Sequence, residues 1–242
     1  MDVLYLAWQD PEGRSWFPVG RLSTENGEYR FVYTRGAEEA PHFVPFLRME
    51  DMKAEYRSKE LFPLFANRLL SKERPEYKDF LDWVNLQPSE VTPFVLLART
   101  GGIRGTDSLT VFPRPERTDD GSYCVHFFCH GIRYLPESTI ELVNSLVTGT
   151  KLFLMPDPQN PTDSFAIALR TDDPKTLIGY VPGYFTEDFH YLLKTNRADT
   201  LKVSVEKLNR EAPIQLRLLC NMITHWPEGF RPCSGRLYEP LL

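Results

Sequence analysis

The chain has 242 residues, of which 42% are hydrophobic, 25% charged and 13% aromatic, and its formal net charge is −5 at pH 7. This composition excludes a disordered chain, and the net acidity excludes broad, sequence-independent attraction to nucleic acid, which needs many Lys and Arg contacts to phosphates. No run approaches the roughly 20 apolar residues that span a membrane, and the first residues show no basic segment followed by an apolar stretch of signal-peptide length. We therefore expect a cytoplasmic protein of two domains without membrane contact.

Short β-favouring runs open the chain and predict a three-stranded meander over residues 3–8, 16–22 and 29–33. Turn signals separate the runs, with Pro-Glu-Gly before the second and Asn-Gly before the third. Helical spacing of apolar residues then predicts one helix from Lys59 to Leu70, capped by Ser58, and a second from Pro75 to Leu86. Apolar runs at 94–98 and 109–112 predict two further strands around a glycine-containing loop.

Parts of this first half resemble the small N-terminal subdomain of HipA-type toxin kinases. The matching segments are Phe31-Val32-Tyr33, residues 60–70 (ELFPLFANRLL), and Gly101-Gly102 leading to Thr106-Asp107-Ser108-Leu109 and Phe112-Pro113. The resemblance spans roughly residues 3–115 and implies a protein-docking domain, of which a free-standing relative serves as an antitoxin. The large kinase lobe of that family has no counterpart in this chain, so kinase activity is not implied.

The second half follows a stretch rich in Pro, Arg, Asp and Gly, which predicts a linker at residues 116–122. Beyond it, the apolar pattern predicts mostly strands, with one helix that starts near Pro136 and ends before Gly149 and another at 187–194. Strands are expected at 123–129, on both sides of the loop near residue 160, and at 177–182, 202–208 and 214–219. This order predicts a small barrel whose openings are covered by two helices, with an irregular tail after Cys220 that packs back on the barrel.

The most informative stretch runs from Leu152 to Leu169. An apolar run of strand length breaks into a loop that holds prolines, an asparagine and two aspartates, and a second apolar run begins at Phe165. The prolines make the loop stiff, and Asn160 and Asp163 suit the capping of its free backbone amides. The pattern alone is equally consistent with a self-capped structural loop and with a binding site.

The four cysteines, at positions 124, 129, 220 and 233, form no Cys-x-x-Cys pair, although His126 and His130 lie beside the first two. A zinc site is one interpretation of this pattern. The other is core packing, because Cys124 and Cys129 belong to a predicted buried strand, where free cysteine behaves as a small hydrophobe. We expect no metal.

The order of motifs in the second half resembles the HIRAN domain. The residues that carry the resemblance are Gly131, Arg133 and Tyr134, then Asp157, Asn160, Pro161 and Asp163, then Ala166 and Ile167, then Gly179-Tyr180-Val181-Pro182. It covers roughly residues 123–225. HIRAN domains occur attached to DNA-remodelling ATPases and alone in bacteria, and those studied bind the 3′-hydroxyl end of single-stranded DNA. The resemblance therefore implies a bacterial type of DNA-binding module whose partner is single-stranded DNA or a DNA 3′ end.

The DNA-binding residues that the resemblance implies are Arg133, Tyr134, Asn160, Thr162, Asp163 and Tyr180. An ionised Asp163 only accepts hydrogen bonds, so it would accept a terminal hydroxyl and repel a terminal phosphate. Arg133 offers a planar fork to a phosphate, and Tyr134 and Tyr180 offer rings on which bases stack. Asn160 is expected mainly to shape the loop.

Two positions depart from the animal members of the family, which have an aromatic residue where this chain has Thr162 and an asparagine where it has Phe165. We therefore expect a looser pocket that lacks one stacking surface. A diffuse basic stretch further on is either a track for a nucleic-acid backbone or a solvated face, and it consists of Lys194, Arg197, Lys202, Lys207, Arg210 and Arg217.

Together these features predict an α+β, mainly β protein. Residues 1–115 form a HipA-N-terminal-like domain, and residues 123–242 form a HIRAN-like β-barrel with two short helices and an irregular tail. We expect a non-enzymatic DNA-binding module without catalytic residues or cofactor. The alternative is an antitoxin-like or adaptor protein that binds a HipA-type kinase lobe. An enzyme would have to use Asp157 and Asp163 to hold a divalent ion, because the histidines lack the spacing of a nucleophile or metal site.

Overall fold

The computed structural model describes residues 3–197 and 199–242, which divide into two units. The first unit comprises the chain up to Tyr77, together with Ser89–Arg114 and Arg231–Leu242. The second comprises Lys78–Pro88 and Pro115–Phe230. Residues 1, 2 and 198 lie outside the described part, so the predicted first domain is assessed from Val3 onward.

The strands in chain order are β1 (Val3–Gln9), β2 (Trp16–Glu25), β3 (Glu28–Tyr33), β4 (Tyr56–Ser58), β5 (Leu109–Pro113), β6 (Ser122–Phe128), β7 (Lys151–Pro156), β8 (Ile167–Arg170), β9 (Leu177–Tyr180), β10 (Lys202–Leu208) and β11 (Leu218–His225). The helices are α1 (Arg35–Glu39), α2 (Pro63–Ala66), α3 (Tyr77–Trp83), α4 (Pro93–Thr100), α5 (Glu137–Ser145) and α6 (Thr186–Thr195).

A five-stranded antiparallel sheet of order β4-β3-β2-β1-β5 forms the centre of the first unit. Leu4, Leu22 and Phe31 lie opposite one another on three adjacent strands, and all three are fully buried. Their apolar side chains face a shared core, which is what the alternating pattern of a half-buried strand specifies. The predicted β1–β2–β3 meander is confirmed.

Residues 94–98, for which the apolar run predicts a strand, lie instead in helix α4. The side chain of Thr92 accepts a hydrogen bond from the Val95 amide, Pro93 occupies the first turn, and Gly101 closes the helix with φ +71°. A short continuous apolar run does not distinguish a strand from a buried helix by its periodicity. The local signals that favour a helix are Thr92-Pro93 at its start and Gly101 at its end.

The predicted helix from Lys59 to Leu70 is also wrong in its extent. Ser58 ends strand β4, and its hydroxyl accepts a hydrogen bond from the Glu60 amide at 3.1 Å, so it caps a turn rather than a helix. Helix α2 begins only at Pro63, which has no amide proton to donate to the preceding turn. Proline is tolerated at a helix start but breaks a helix interior.

The C-terminal residues 231–242, which the sequence assigns to the second domain, belong to the first unit. The Leu241 amide donates to the Tyr33 carbonyl at 3.0 Å, and the Tyr238 ring meets the Tyr5 ring edge-on at 4.9 Å. The Tyr33 carbonyl at the end of β3 needs a hydrogen-bond donor, and the Tyr5 ring gains from an edge-on aromatic contact. The C-terminal residues supply both. The sequence pattern of the tail contains no signal for which sheet it covers.

The second unit contains a six-stranded antiparallel sheet of order β6-β11-β10-β7-β8-β9. The sheet curls so that the residues after β6 meet β9. His130 and Tyr180 exchange two backbone hydrogen bonds, both of 2.9 Å, in an antiparallel bridge. Pairing between the two edges of one sheet is how a barrel removes its exposed edges. The unit is thus a mainly β, barrel-like fold, as predicted.

Gly179 permits this closure because a side chain there has no space. A Cβ atom built on it would lie 2.5 Å from the His130 carbonyl oxygen and even closer to the Cys129 sulfur. Its φ of +144° is also one that residues with a side chain rarely adopt. The Gly-Tyr-Val-Pro motif therefore begins with a residue that the barrel closure requires.

Helix α6 covers the inside of the barrel through Phe189, whose ring lies 5.8 Å from that of Phe127. Residues 78–88, which the sequence places in the first domain, belong to the second unit, where the Asn209 side-chain amide donates to the Trp83 carbonyl. The last strand is shifted relative to the prediction at 214–219. Residues Ile214–Leu216 form a 3-10 turn, and β11 begins at Leu218.

Candidate nucleic-acid interface

The loop between β7 and β8 is held by its own polar side chains. The Asn160 side-chain oxygen accepts hydrogen bonds from the amides of Thr162 and Asp163 at 3.0 and 3.2 Å. The Asn160 amide donates to the Asp157 carbonyl at 3.1 Å. Asn160 is therefore a loop former, and the stiffness expected from the prolines is reinforced by these bonds.

Asp163 is half-buried and uses only one of its two carboxylate oxygens inside the loop. Its Oδ1 accepts a hydrogen bond from the Phe165 amide at 2.8 Å. Within the described residues, Oδ2 has no hydrogen-bond partner. An ionised carboxylate has about four acceptor positions, so this group retains capacity for a donor from outside the protein.

Tyr180 connects the barrel closure to the loop. Its hydroxyl donates to Asp157 Oδ2 at 3.1 Å, and the Asn160 side-chain amide donates to the same oxygen at 3.2 Å. Burial, followed by the hydrogen bond to Asp157, raises the pKa of Tyr180 above its ordinary value. The hydroxyl therefore stays protonated and keeps donating at neutral pH.

Arg133 and Tyr134 lie in a 3-10 turn that follows Gly131, whose φ is +80°. A Cβ atom at Gly131 would lie 3.2 Å from the Tyr180 ring, so the turn packs directly on that ring. The Arg133 guanidinium sits 4.6 Å from the centre of the Tyr134 ring and donates to the Tyr134 hydroxyl. Tyr134 is 73% exposed, which leaves most of its ring accessible.

The structure thus joins Asn160, Thr162, Asp163 and Tyr180 in one bonded network around Asp157. Arg133 and Tyr134 are tied to that network through the backbone bridge at Tyr180. Tyr180 is less suited to base stacking than its residue type suggests. Its hydroxyl is anchored and its ring packs against Gly131, so only part of the ring surface is accessible.

Phe165 was counted as a departure from the family pattern, yet it presents an accessible aromatic ring beside Asp163. It is 65% exposed, and His190 of α6 contacts its carbonyl oxygen at 3.0 Å and its ring edge-on at 5.9 Å. Strand alternation from Ile167 and Leu169 predicts an inward Phe165. The hydrogen bond from the Ala166 amide to the Asp163 carbonyl forms a turn before β8 and ends that alternation.

The diffuse basic stretch is only partly available for a ligand. Lys207 donates to Asp82, and Arg217 donates to Asn144. Arg210 donates to the Asn144 carbonyl, and Arg197 pairs with Asp199. The interpretation as one continuous phosphate track is therefore not supported by the positions of these side chains.

Of the four cysteines, Cys129 and Cys220 are buried and Cys124 and Cys233 are partly exposed. Burial raises the pKa of the Cys129 thiol to about 12, so this thiol stays protonated. Between Val3 and Leu242, leaving aside residue 198, no group of three His, Cys, Asp or Glu side chains could hold a metal ion. Nor does any helix in this described part have both the length and the apolar character needed to cross a membrane.

Comparison with known proteins identifies the second unit. Residues 122–226 match the sequence model of the HIRAN domain, which confirms the predicted HIRAN domain in this part of the chain. Among solved structures, one similar chain is the HIRAN domain of human HLTF, with 15% identity and a TM-score of 0.32, covering 44% of this chain and 81% of that one.

Another similar structure is a protein from Lactobacillus plantarum, with 19% identity and a TM-score of 0.32, covering 43% of this chain and 100% of that one. No curated protein matches the chain. The resemblance of the first unit to HipA-type kinases stays a prediction.

Proposed function

We propose that the HIRAN domain of this chain binds single-stranded DNA and recognises its 3′-hydroxyl end, without catalysing a reaction. The match to the HIRAN domain supports DNA binding as the class of function. The observation that carries the finer proposal is the carboxylate of Asp163, which has one oxygen fixed by the Phe165 amide and one left to accept a hydrogen bond.

The chemistry of that carboxylate favours a hydroxyl over a phosphate. A 3′-hydroxyl donates to the open oxygen, whereas a 3′-phosphate brings like charge to the same place. Because the loop is already held by Asn160, little ordering is needed when the strand end binds.

The remaining contacts come from exposed side chains on either side. Tyr134 and Phe165 present accessible rings on which bases stack, each stack being worth about 1–3 kcal/mol. Arg133 has no carboxylate partner among the described residues, so its guanidinium is available for an internucleotide phosphate. In this proposal Phe165 supplies the aromatic surface that Thr162 lacks.

The test is fluorescence anisotropy with 5′-labelled oligothymidylates that end in either a 3′-hydroxyl or a 3′-phosphate. We expect tighter binding of the hydroxyl form by the full chain. Asp163→Asn keeps an acceptor for the Phe165 amide but removes the charge, so it should abolish the preference while leaving the fold intact.

Asp172→Asn is the matched control because Asp172 is an exposed aspartate in the turn between β8 and β9. It should keep the preference for the hydroxyl. Equal binding of both oligonucleotides by the wild-type chain would contradict 3′-end recognition. Incubation of labelled DNA with Mg²⁺ or Mn²⁺ tests the absence of catalysis, and the DNA should remain uncut.

A second candidate is an adaptor or antitoxin-like protein that acts through the first unit. Val44 and Leu47 favour it, because both lie in a loop of that unit and are 75% and 88% exposed. Exposed aliphatic side chains that lie near one another in sequence are a feature expected of a protein-binding surface. Titration of a purified HipA-type kinase lobe with the chain should show binding that Leu47→Glu weakens, whereas no binding would exclude this candidate.

A further inference from the structure

The sheet of the second unit carries a cationic and aromatic surface outside the loop region. Phe153 of β7 lies between two cations, since Lys151 Nζ is 4.6 Å and the Arg170 guanidinium 4.4 Å from the centre of its ring. Phe153 and Arg170 are directly opposite each other on β7 and β8. We call Lys151, Phe153, Arg170 and Lys202 the Phe153 patch.

Lys202 belongs to the same face by strand register. Ser204 of β10 pairs with Lys151 of β7, and Lys202 lies two residues before Ser204, so its exposed side chain points the same way. The Phe153 patch thus places two cations at the ring of Phe153 and a third, Lys202, on the same face of the sheet.

These cations have no acidic partner within the part of the chain that the structure describes. The carboxylates nearest to Arg170 in sequence, Asp172 and Asp173, form no ion pair with it. Cations that are held close together without a carboxylate favour an anionic ligand, and the half-buried aromatic ring of Phe153 among them favours a planar group.

The patch lies on the same face of the sheet as the 3′-end site. Phe153 and Met155 of β7 and Asp157, which directly follows the strand, are spaced at two-residue intervals. Met155 pairs with Ala168, and Ala168 pairs with Tyr180, the residue that bonds Asp157. Residues at two-residue intervals share one face of a strand, so a surface runs from Asp157 past Met155 to Phe153.

The distance along β7 between Asp157 and Phe153 suits a DNA strand that extends beyond the terminal nucleotides. Phe153 precedes Asp157 by four residues, which is about 13 Å at the rise of a β-strand. Stacked nucleotides rise about 3.4 Å each, so a dinucleotide beside Asp157 ends short of the patch and a longer strand reaches it.

We propose that the Phe153 patch is the continuation of the DNA site, where the 5′-ward part of a single strand runs along β7 with a base on Phe153 and phosphates at Lys151, Arg170 and Lys202. This inference rests on the proposed function. It adds a length of strand that the 3′-end pocket by itself does not contact, and it gives the bound strand a direction, with its 3′ end at Asp163 and its 5′ side toward Lys151.

The experiment compares two 3′-hydroxyl oligothymidylates, a dinucleotide and one of about eight nucleotides, a length within the site sizes of small β-barrel domains. The wild-type chain should bind the longer strand more tightly. Phe153→Ala should weaken binding of the longer strand by about tenfold, the loss of one base stack, and leave dinucleotide binding unchanged.

Lys151→Glu with Arg170→Glu should weaken binding of the longer strand and lower the slope of log affinity against log salt concentration by roughly 0.7 for each lost phosphate contact. Lys194→Glu with Arg197→Glu is the matched control, because it changes the charge equally at exposed positions at the end of α6. The control should behave as the wild-type chain.

The outcomes separate the two proposals. One outcome is that Asp163→Asn removes the preference for a 3′-hydroxyl while the Phe153 patch variants bind the longer strand normally. In that case the proposal for the Phe153 patch is wrong and the proposal for the 3′-end site stands. An equal loss of affinity for the longer strand in the Lys194 and Arg197 control would show general charge attraction. It would also contradict the proposal for the Phe153 patch. If the wild-type chain binds neither oligonucleotide, both proposals fail.

Discussion

The loop between β7 and β8 and the turn at residues 131–134 lie on two sides of Tyr180 but are built in opposite ways. The loop is held from within by hydrogen bonds of Asn160 and Asp157 and leaves one oxygen of Asp163 open. In the turn, Arg133 donates to the Tyr134 hydroxyl, and neither side chain has another hydrogen-bond partner among the described residues. The loop is thus a preformed acceptor, whereas the turn carries exposed groups that can exchange their mutual contact for a ligand.

The largest expected effect comes from breaking the junction between these two regions. Gly179→Ala should lower the free energy of unfolding by about 3 kcal/mol, because the new methyl group overlaps His130 and Cys129 at an unfavourable φ. Urea denaturation measures the change. Gly149→Ala is the control, since Gly149 also has a positive φ but no atom within 4 Å of a built Cβ. A cost at Gly179 no greater than at Gly149 would contradict the requirement for close approach.

The loop should lose stability when its organising side chain is removed. Asn160→Ala leaves the amides of Thr162 and Asp163 without their acceptor and should cost about 1–2 kcal/mol of unfolding free energy. Gln159→Ala, at an exposed neighbouring position, should stay within about 0.5 kcal/mol of the wild-type value. Equal stability of the two variants would show that the loop is held by its prolines alone.

Substitutions in the turn at residues 131–134 should change DNA affinity rather than the free energy of unfolding. Tyr134→Ala removes an exposed ring, so the unfolding free energy should change by less than about 0.5 kcal/mol while affinity for single-stranded DNA falls about tenfold. Tyr134→Phe keeps the ring and should retain most of the affinity. Loss of affinity in Tyr134→Phe as large as in the alanine variant would assign the effect to the hydroxyl and its contact with Arg133.

The effect of pH at the junction is nearly absent at neutral pH and develops only in acid. Burial lowers the pKa of His130 to about 4, below its value of about 6.5 in an unfolded chain. The unfolded chain therefore takes up the proton first, and the contribution of His130 to stability decreases as the pH falls from about 6.5 to about 4. An NMR titration of the His130 ring should show no protonation at pH 5.5, and a midpoint near 6.5 would contradict its burial.

Local signals were sufficient for most elements of the second unit. The alternation in β6, the turn residues around Asn160 and the Gly-Tyr-Val-Pro motif each describe their own segment, and the family match confirms the domain that they indicate. Local signals failed where two structures share one pattern, as in residues 94–98, where an apolar run fits a strand and a buried helix equally.

Some residues of the candidate site could likewise be predicted from local sequence, and others could not. Asn160 as a loop former follows from residue type and spacing, whereas Asp163 as an acceptor for a ligand was implied by the resemblance to the HIRAN domain. The accessible ring of Phe165 does not, because its exposure results from the turn that the Asp163 carbonyl closes before β8 and from the contact with His190 of α6. The partial burial of Tyr180 likewise depends on Gly131, which is distant in sequence.

The strand-rich class of the protein and the stiff loop between β7 and β8 could be predicted from the sequence, because both depend on backbone preferences of neighbouring residues. Three features depend on the tertiary structure: residues 231–242 complete the first unit, Gly179 leaves space for the approach of His130, and Phe153, Met155 and Tyr180 share one face with Asp157. Those arrangements arise from strand register and from pairing between distant segments, where the gain from burial and hydrogen bonds outweighs any local preference.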